Sequence, residues 1–96
     1  MSNEEKNISQ VLDRMFERYK LNSKLTEAKL IQQWPEIVGP LIAKHTDKLE
    51  LKGKTLYIHV SNPVLKNELF YQREQIMQNC NLHLQEQAIE KIFVGH

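Results

Sequence analysis

One cysteine, Cys80, one tryptophan, three glycines and three prolines are all that 96 residues contain of these types. A lone thiol closes no internal disulfide, so the fold must rest on its core, and nothing points to an oxidising compartment. No apolar run approaches the ~18 residues that a membrane span requires. The opening MSNEEKN is polar and acidic rather than the apolar core of a signal peptide. Formal net charge is only +1, which excludes a broad field attracting nucleic acid, membrane or acidic substrate. These absences predict a cytoplasmic protein without membrane contact. The chain makes one small domain, long enough to bury roughly 60–65% of its extended surface without staples.

The patterns that carry chemistry are also incomplete. Gly53-Lys54-Thr55 ends like a phosphate-binding loop, but that loop needs a glycine five residues earlier, where Lys48 stands. Cys80 and His83 form one Cys-x-x-His pair with no second pair at zinc spacing, and His45, His59 and His96 fall on unrelated elements. His45, Asp47 and Ser61 have hydrolase residue types without a nucleophile-elbow glycine pattern. The expectation is a protein that is not an enzyme, with no catalytic residue, no metal, no cofactor and no small-molecule substrate.

What is present gathers around Gln33–Thr46, QWPEIVGPLIAKHT. Trp34, Ile37, Val38, Leu41 and Ile42 recur at helical spacing, while Pro35 and Pro40 interrupt them. Proline disfavours helical dihedrals in the residue before it, which predicts one helix ending near Trp34, a second beginning at Pro35, and a kink or restart at Gly39-Pro40. A buried tryptophan removes roughly 150–250 Å² from water, about 4–6 kcal/mol at 25 cal/mol per Å². Trp34 reads first as the main anchor of the core, and second as part of a recognition surface built on an irregular turn.

Before this stretch, Ile8, Val11, Leu12, Met15, Phe16 and Tyr19 line one face of an amphipathic helix, with mixed charge opposite. Asn22-Ser23 predicts a break, and Thr26 an N-cap for a second helix through Leu30 and Ile31. After His45, which is placed to cap the helix before it, the period becomes two. Leu49 and Leu51, then Leu56, Ile58 and Val60, alternate with polar residues about Gly53-Lys54, a β-hairpin with one buried face. Asn62-Pro63 starts a helix that runs through Leu65, Leu69, Ile76 and Cys80, and Ala88–Val94 makes a last strand of uncertain register. The fold class is therefore α+β, in the order α-α-β-β-α-β. A right-handed crossover sets the last strand parallel to the second, giving a three-stranded mixed sheet packed by helices.

Lys44, Lys48, Lys52 and Lys54 cluster about the helix exit and the hairpin, with Tyr57 beside them. Lysines with an aromatic neighbour suit a nucleic-acid backbone and a stacked base. Lysines on an edge strand also serve simply to block aggregation.

The pattern W-P-E-I-V-G-P-L-I-A-K-H-T, then L-x-L-K-G-K-T-L-Y-I-H-V-S-N, then N-E-L, resembles the DciA-like family over about residues 8–94. Its most specific parts are Trp34, Val38-Gly39, His45-Thr46, Gly53, Leu56, Val60-Ser61 and Glu68-Leu69. The chain departs at Val64-Leu65, where related chains often carry an aromatic. The polar opening predicts a flexible N-terminus at residues 1–7, and the resemblance implies a single KH-like domain at residues 8–96. It also implies a role in bacterial DNA replication: an adaptor that binds the replicative DNA helicase and helps load it on single-stranded DNA, without hydrolysing ATP. Trp34, Pro35, Gly39, His45 and Thr46 would then shape or touch the partner surface. The alternative is a KH-like single-stranded DNA or RNA binding protein acting through Lys44, Lys48, Lys52, Lys54 and Tyr57, although the glycine-x-x-glycine loop of nucleic-acid-binding KH domains is missing.

Overall fold

A computed structural model describes the backbone of residues 2–95 and the side chains of residues 8–95. The elements are α1 (Ser2–Val38), α2 (Pro40–Lys44), β1 (Lys48–Lys52), β2 (Thr55–His59), α3 (Pro63–Tyr71), α4 (Arg73–Leu84) and β3 (Lys91–Gly95). The α-α-β-β-α-β order holds, with the last helix divided in two. The sheet runs β1-β2-β3. β1 pairs with β2 antiparallel, and β3 lies parallel to β2, as the crossover predicts. Among the described residues no helix is long and apolar enough to cross a membrane. Of the expected flexible segment 1–7, the side chains lie outside the described residues, as does His96.

The expected break at Asn22-Ser23 is absent, and α1 is one helix of 37 residues. Polar side chains there find partners without ending the helix. Thr26 is no N-cap, because its Oγ1 donates back to Asn22 O at 2.9 Å, while Ser23 Oγ donates to Leu51 O at 3.4 Å. The expected end at Trp34 and new start at Pro35 are also overturned, since Pro35 lies inside the helix. An interior proline costs ~3 kcal/mol. Trp34 and Ile37, on either side of it, are both buried in the core, and their combined burial exceeds that cost. The helix stops at Gly39, whose φ of 92° and ψ of 158° suit glycine alone, and Pro40 opens α2.

The hairpin forms as its alternation dictates, with Leu49, Leu51, Leu56 and Ile58 buried. Gly53 takes φ 62° at the first position of the turn. Asn62 caps α3, its Oδ1 accepting from Val64 N at 2.9 Å and Leu65 N at 3.2 Å. The single helix expected after it is broken at Gln72, with φ −96° and ψ 9°. The break lets α3 pack on β3 while α4 packs on α1. Asn81, buried at the end of α4, clamps the next segment: its Nδ2 donates to Ile89 O and its Oδ1 accepts from Ile89 N, both at 3.0 Å. The core lies between the helices and one sheet face, where Leu30, Leu56, Ile58, Leu69 and Cys80 are fully enclosed. Burial pushes the Cys80 thiol up to about 12, leaving it an inert core group.

Nothing stands within 4 Å of where a Cβ on Gly39 would lie, so any cost of adding one comes from the backbone alone. Gly39→Ala is expected to lower stability by about 1–3 kcal/mol, the cost of a side chain in a glycine-only region. Urea denaturation followed by helical circular dichroism measures it.

Candidate functional site

Two surfaces take shape around the residues marked in the sequence. The first is a groove of about 430 Å³ between α1, α2 and β1, lined by Ile31, Trp34, Pro35, Ala43, Thr46 and Leu49 among others. Its form depends on a relay. Trp34, 3% exposed, donates from Nε1 to Thr46 Oγ1 at 2.9 Å. Thr46 Oγ1 in turn donates to Ile42 O at 2.7 Å. The indole thus holds the turn that follows α2 against α1 and satisfies its own buried N–H.

Of the five residues expected to shape a partner surface, Trp34, Pro35 and Thr46 come together in this groove. Gly39 sets the angle between α1 and α2 from outside it. His45 is the C-cap of α2, its N–H directed to Leu41 O and Ile42 O at 3.3 and 3.2 Å. Its ring is exposed.

The second surface is the sheet face turned away from the helices. Register places Glu50, Tyr57 and Phe93 in one row across the three strands, with Lys52, Thr55 and Lys91 in the next. The Tyr57 and Phe93 rings lie 5.6 Å apart, and Lys52 Nζ stands 5.6 Å from the Tyr57 centroid. A Cβ at Gly95 would come within 2.8 Å of the Phe93 ring, so the glycine makes room for that ring. More than half of the Phe93 side chain faces water, which suits a stacking platform.

The lysines are less united than the sequence suggests. Lys48 and Lys52 share this face with Tyr57. Lys54 sits in the hairpin turn, paired with Glu90 at 3.2 Å, and Lys44 stands apart on α2. Glu50 lies between Lys48 and Lys52, 3.7 and 3.8 Å from their ammonium groups, and its Oε1 is 2.9 Å from His59 Nε2. That approach lacks the alignment of a straight hydrogen bond, and the His59 nitrogen has no other partner. Partial withdrawal from water works to raise the Glu50 pKa, but Lys48, Lys52 and His59 outweigh it and hold it below the ordinary 4.5. At neutral pH the carboxylate is therefore ionised and offsets the lysines around it.

The hairpin alternation already sets Glu50 and His59 on this face; sequence reading missed Phe93 and Lys91 as its other members. The signal was present in Ile92 and Val94: if both face the core, Phe93 must face out beside Tyr57. Cys80 and His83 do not face a common site, since Cys80 is enclosed in the core and His83 is exposed, its Nδ1 3.0 Å from Asn79 O. Among the described residues no three His, Cys, Asp or Glu side chains gather as metal ligands would.

Residues 7–94 match the family model described as Dna[CI] antecedent, DciA. The match covers nearly the whole chain, and the chain belongs to the DciA family. That membership fits, in general terms, an adaptor in helicase loading rather than an enzyme. No curated protein matches the chain.

The relay can be tested by removing each partner in turn. Thr46→Val leaves the indole N–H without an acceptor and is expected to cost about 1–3 kcal/mol. Trp34→Ala is expected to cost about 3–5 kcal/mol through the cavity it opens. In a double-mutant cycle of Thr46→Val with Trp34→Phe, the second substitution should cost less once the first is made. Additive urea-denaturation energies would show that the relay does not couple the two.

Proposed function

We propose that this DciA-family chain is a non-enzymatic, cytoplasmic adaptor that binds the replicative DNA helicase of a bacterium and assists its loading during DNA replication. The observation that carries the reading is the family match across residues 7–94, which takes in most of α1 and the Trp34 groove. Trp34, Pro35 and Thr46 shape the groove, while Gly39 and His45 fix the turn that closes it. The groove has an apolar floor, and Ile31 and Ala43 at its margins remain partly open to a partner side chain.

The test is a calorimetric titration of the full chain against the replicative helicase from the same source organism. Saturable binding is expected. Ile31→Glu, a substitution at an exposed helix position, should weaken it at least ~10-fold without unfolding the domain, the effect of losing one interface anchor. No heat change at micromolar helicase would overturn the reading.

A second reading rests on the Tyr57–Phe93 pair with Lys48, Lys52 and Lys91 around it: a platform for a single strand of DNA or RNA. Stacking is worth about 1–3 kcal/mol per base, so Phe93→Ala should weaken binding of a fluorescent oligonucleotide ~5- to 100-fold. Because ionised Glu50 opposes phosphate, Glu50→Gln should strengthen binding, and affinity should fall steeply with salt. Unchanged affinity in both variants would remove this face from the function.

A further inference from the structure

The N-terminal half of α1 carries an apolar face that the described residues of the body leave largely in water, only the Tyr19 hydroxyl reaching the hairpin turn at Gly53. Ile8, Val11, Leu12, Met15, Phe16 and Tyr19 are each 52–62% exposed. At ~1.5 Å per residue the helix is about 55 Å long. The whole molecule measures 59 × 25 × 19 Å, so roughly half of α1 projects beyond the body. Body contacts begin with Tyr19, whose hydroxyl lies 3.4 Å from where a Cβ on Gly53 would stand. They continue with Ser23 Oγ, which reaches Leu51 O, and Glu27 Oε2, which accepts from Leu51 N at 2.9 Å, and then through Leu30, Trp34 and Ile37. The same helical face serves both halves, and only one half has something to pack on.

We infer that this free half is a dimerisation surface, on which a second copy of the chain lays its own α1 antiparallel. Three observations select a second copy. The first is area. Six side chains of this exposure leave roughly 600 Å² of one stripe in water, at the upper end of what monomers present. Two stripes together offer about 1,200 Å², enough for a specific dimer.

The second is self-complementarity. The stripe's intervals, three, one, three, one and three, read the same from either end. A two-fold axis between Asp13 and Arg14 sets Ile8 opposite Tyr19 of the second copy, Val11 opposite Phe16, and Leu12 opposite Met15. An isologous interface requires such a pattern. The slimmer aliphatic residues occupy one end and the larger side chains the other, so antiparallel pairing sets small against large at every level. Parallel pairing would stack ring on ring and leave gaps at the other end.

The third is charge. By helical phase Asp13, Arg14 and Glu17 lie on the far side of α1. Arg18 and Lys20 flank the stripe, with Lys20 Nζ 4.8 Å from the Phe16 centroid. The same two-fold sets Arg18 opposite Ser9 of the second copy, so among the described residues no like charges meet.

Sedimentation equilibrium of the full chain over a range from ~1 to 200 μM tests the assignment. A monomer–dimer equilibrium is expected, with Leu12→Glu raising the dimer dissociation constant at least ~30-fold, as for loss of a central anchor. Circular dichroism and thermal unfolding of that variant show whether the body, which Leu12 does not touch, stays folded. Orientation is read from an equimolar mixture of Leu12→Cys and Met15→Cys proteins under mild oxidation; buried Cys80 does not compete. Predominance of the mixed disulfide supports the antiparallel pair. A monomer throughout the range, a dimer indifferent to Leu12→Glu, or predominance of the position-12 homodisulfide overturns it. A monomer whose helicase binding is lost with Leu12→Glu also overturns it, assigning the stripe to the helicase.

Discussion

The indole hydrogen bond from Trp34 to Thr46 is the constraint on which the arrangement of this small domain turns. Apolar burial alone would hold the tryptophan ring against the core in more than one orientation, because the hydrophobic effect has no direction. The N–H removes that freedom, since left unpaired in a buried site it costs ~1–3 kcal/mol. Its acceptor lies twelve residues on, beyond α2, and passes the bond to Ile42 O. The direction of α1, the closure of α2 and the entry into β1 are thereby joined through one donor. Gly39 supplies the backbone angle that makes this geometry possible, and Asp47 N, bonding to His59 O at 2.8 Å, carries it into the sheet.

The open sheet face follows a different logic, in which electrostatics decides more than packing. Lys48 and Lys52 look like a basic patch in the sequence, but Glu50 between them on the same face shares its carboxylate with both. Exposed pairs of this kind contribute little stability. Their consequence is that one carboxylate offsets part, not all, of the positive charge around the Tyr57 and Phe93 rings. The aromatic pair, rather than the lysines, then distinguishes the face, and any strand of nucleic acid lying there must displace Glu50 from its partners or extend toward Lys91.

The sequence revealed those elements whose signals are local. Leu49–Val60 alternates about a glycine turn, and Asn62-Pro63 is a cap followed by a fixed first position, so hairpin and helix start were both legible. α1 was misread because its break signals are local and what overrides them is tertiary. Ser23 finds its partner in Leu51, twenty-eight residues away, and Pro35 is held in the helix by burial on both sides. Membership of the groove was half legible. Trp34 stood out by type, but its bond to Thr46 depends on the course of α2 between them. Phe93 was hidden because the charged Glu90-Lys91 pair obscured the register of β3, which its pairing with β2 fixes.

The continuity of α1 has a further consequence for how the domain works. A helix broken at Asn22-Ser23 would let its first half fold back and cover its apolar face on the body. One continuous helix cannot do so. Ser23 and Thr26, whose hydroxyls find partners without breaking the helix, therefore also keep Ile8–Phe16 extended and largely exposed. A helix of moderate formers such as Ile, Val, Phe and Tyr is marginal when isolated and gains most of its stability from packing. The seated half, from Ser23 to Val38, nucleates the free half, and a partner on the stripe would complete it. The Trp34 groove and the free stripe are thus two ends of one rigid element. Binding at either end would fix the position of the other without any change in the body between them.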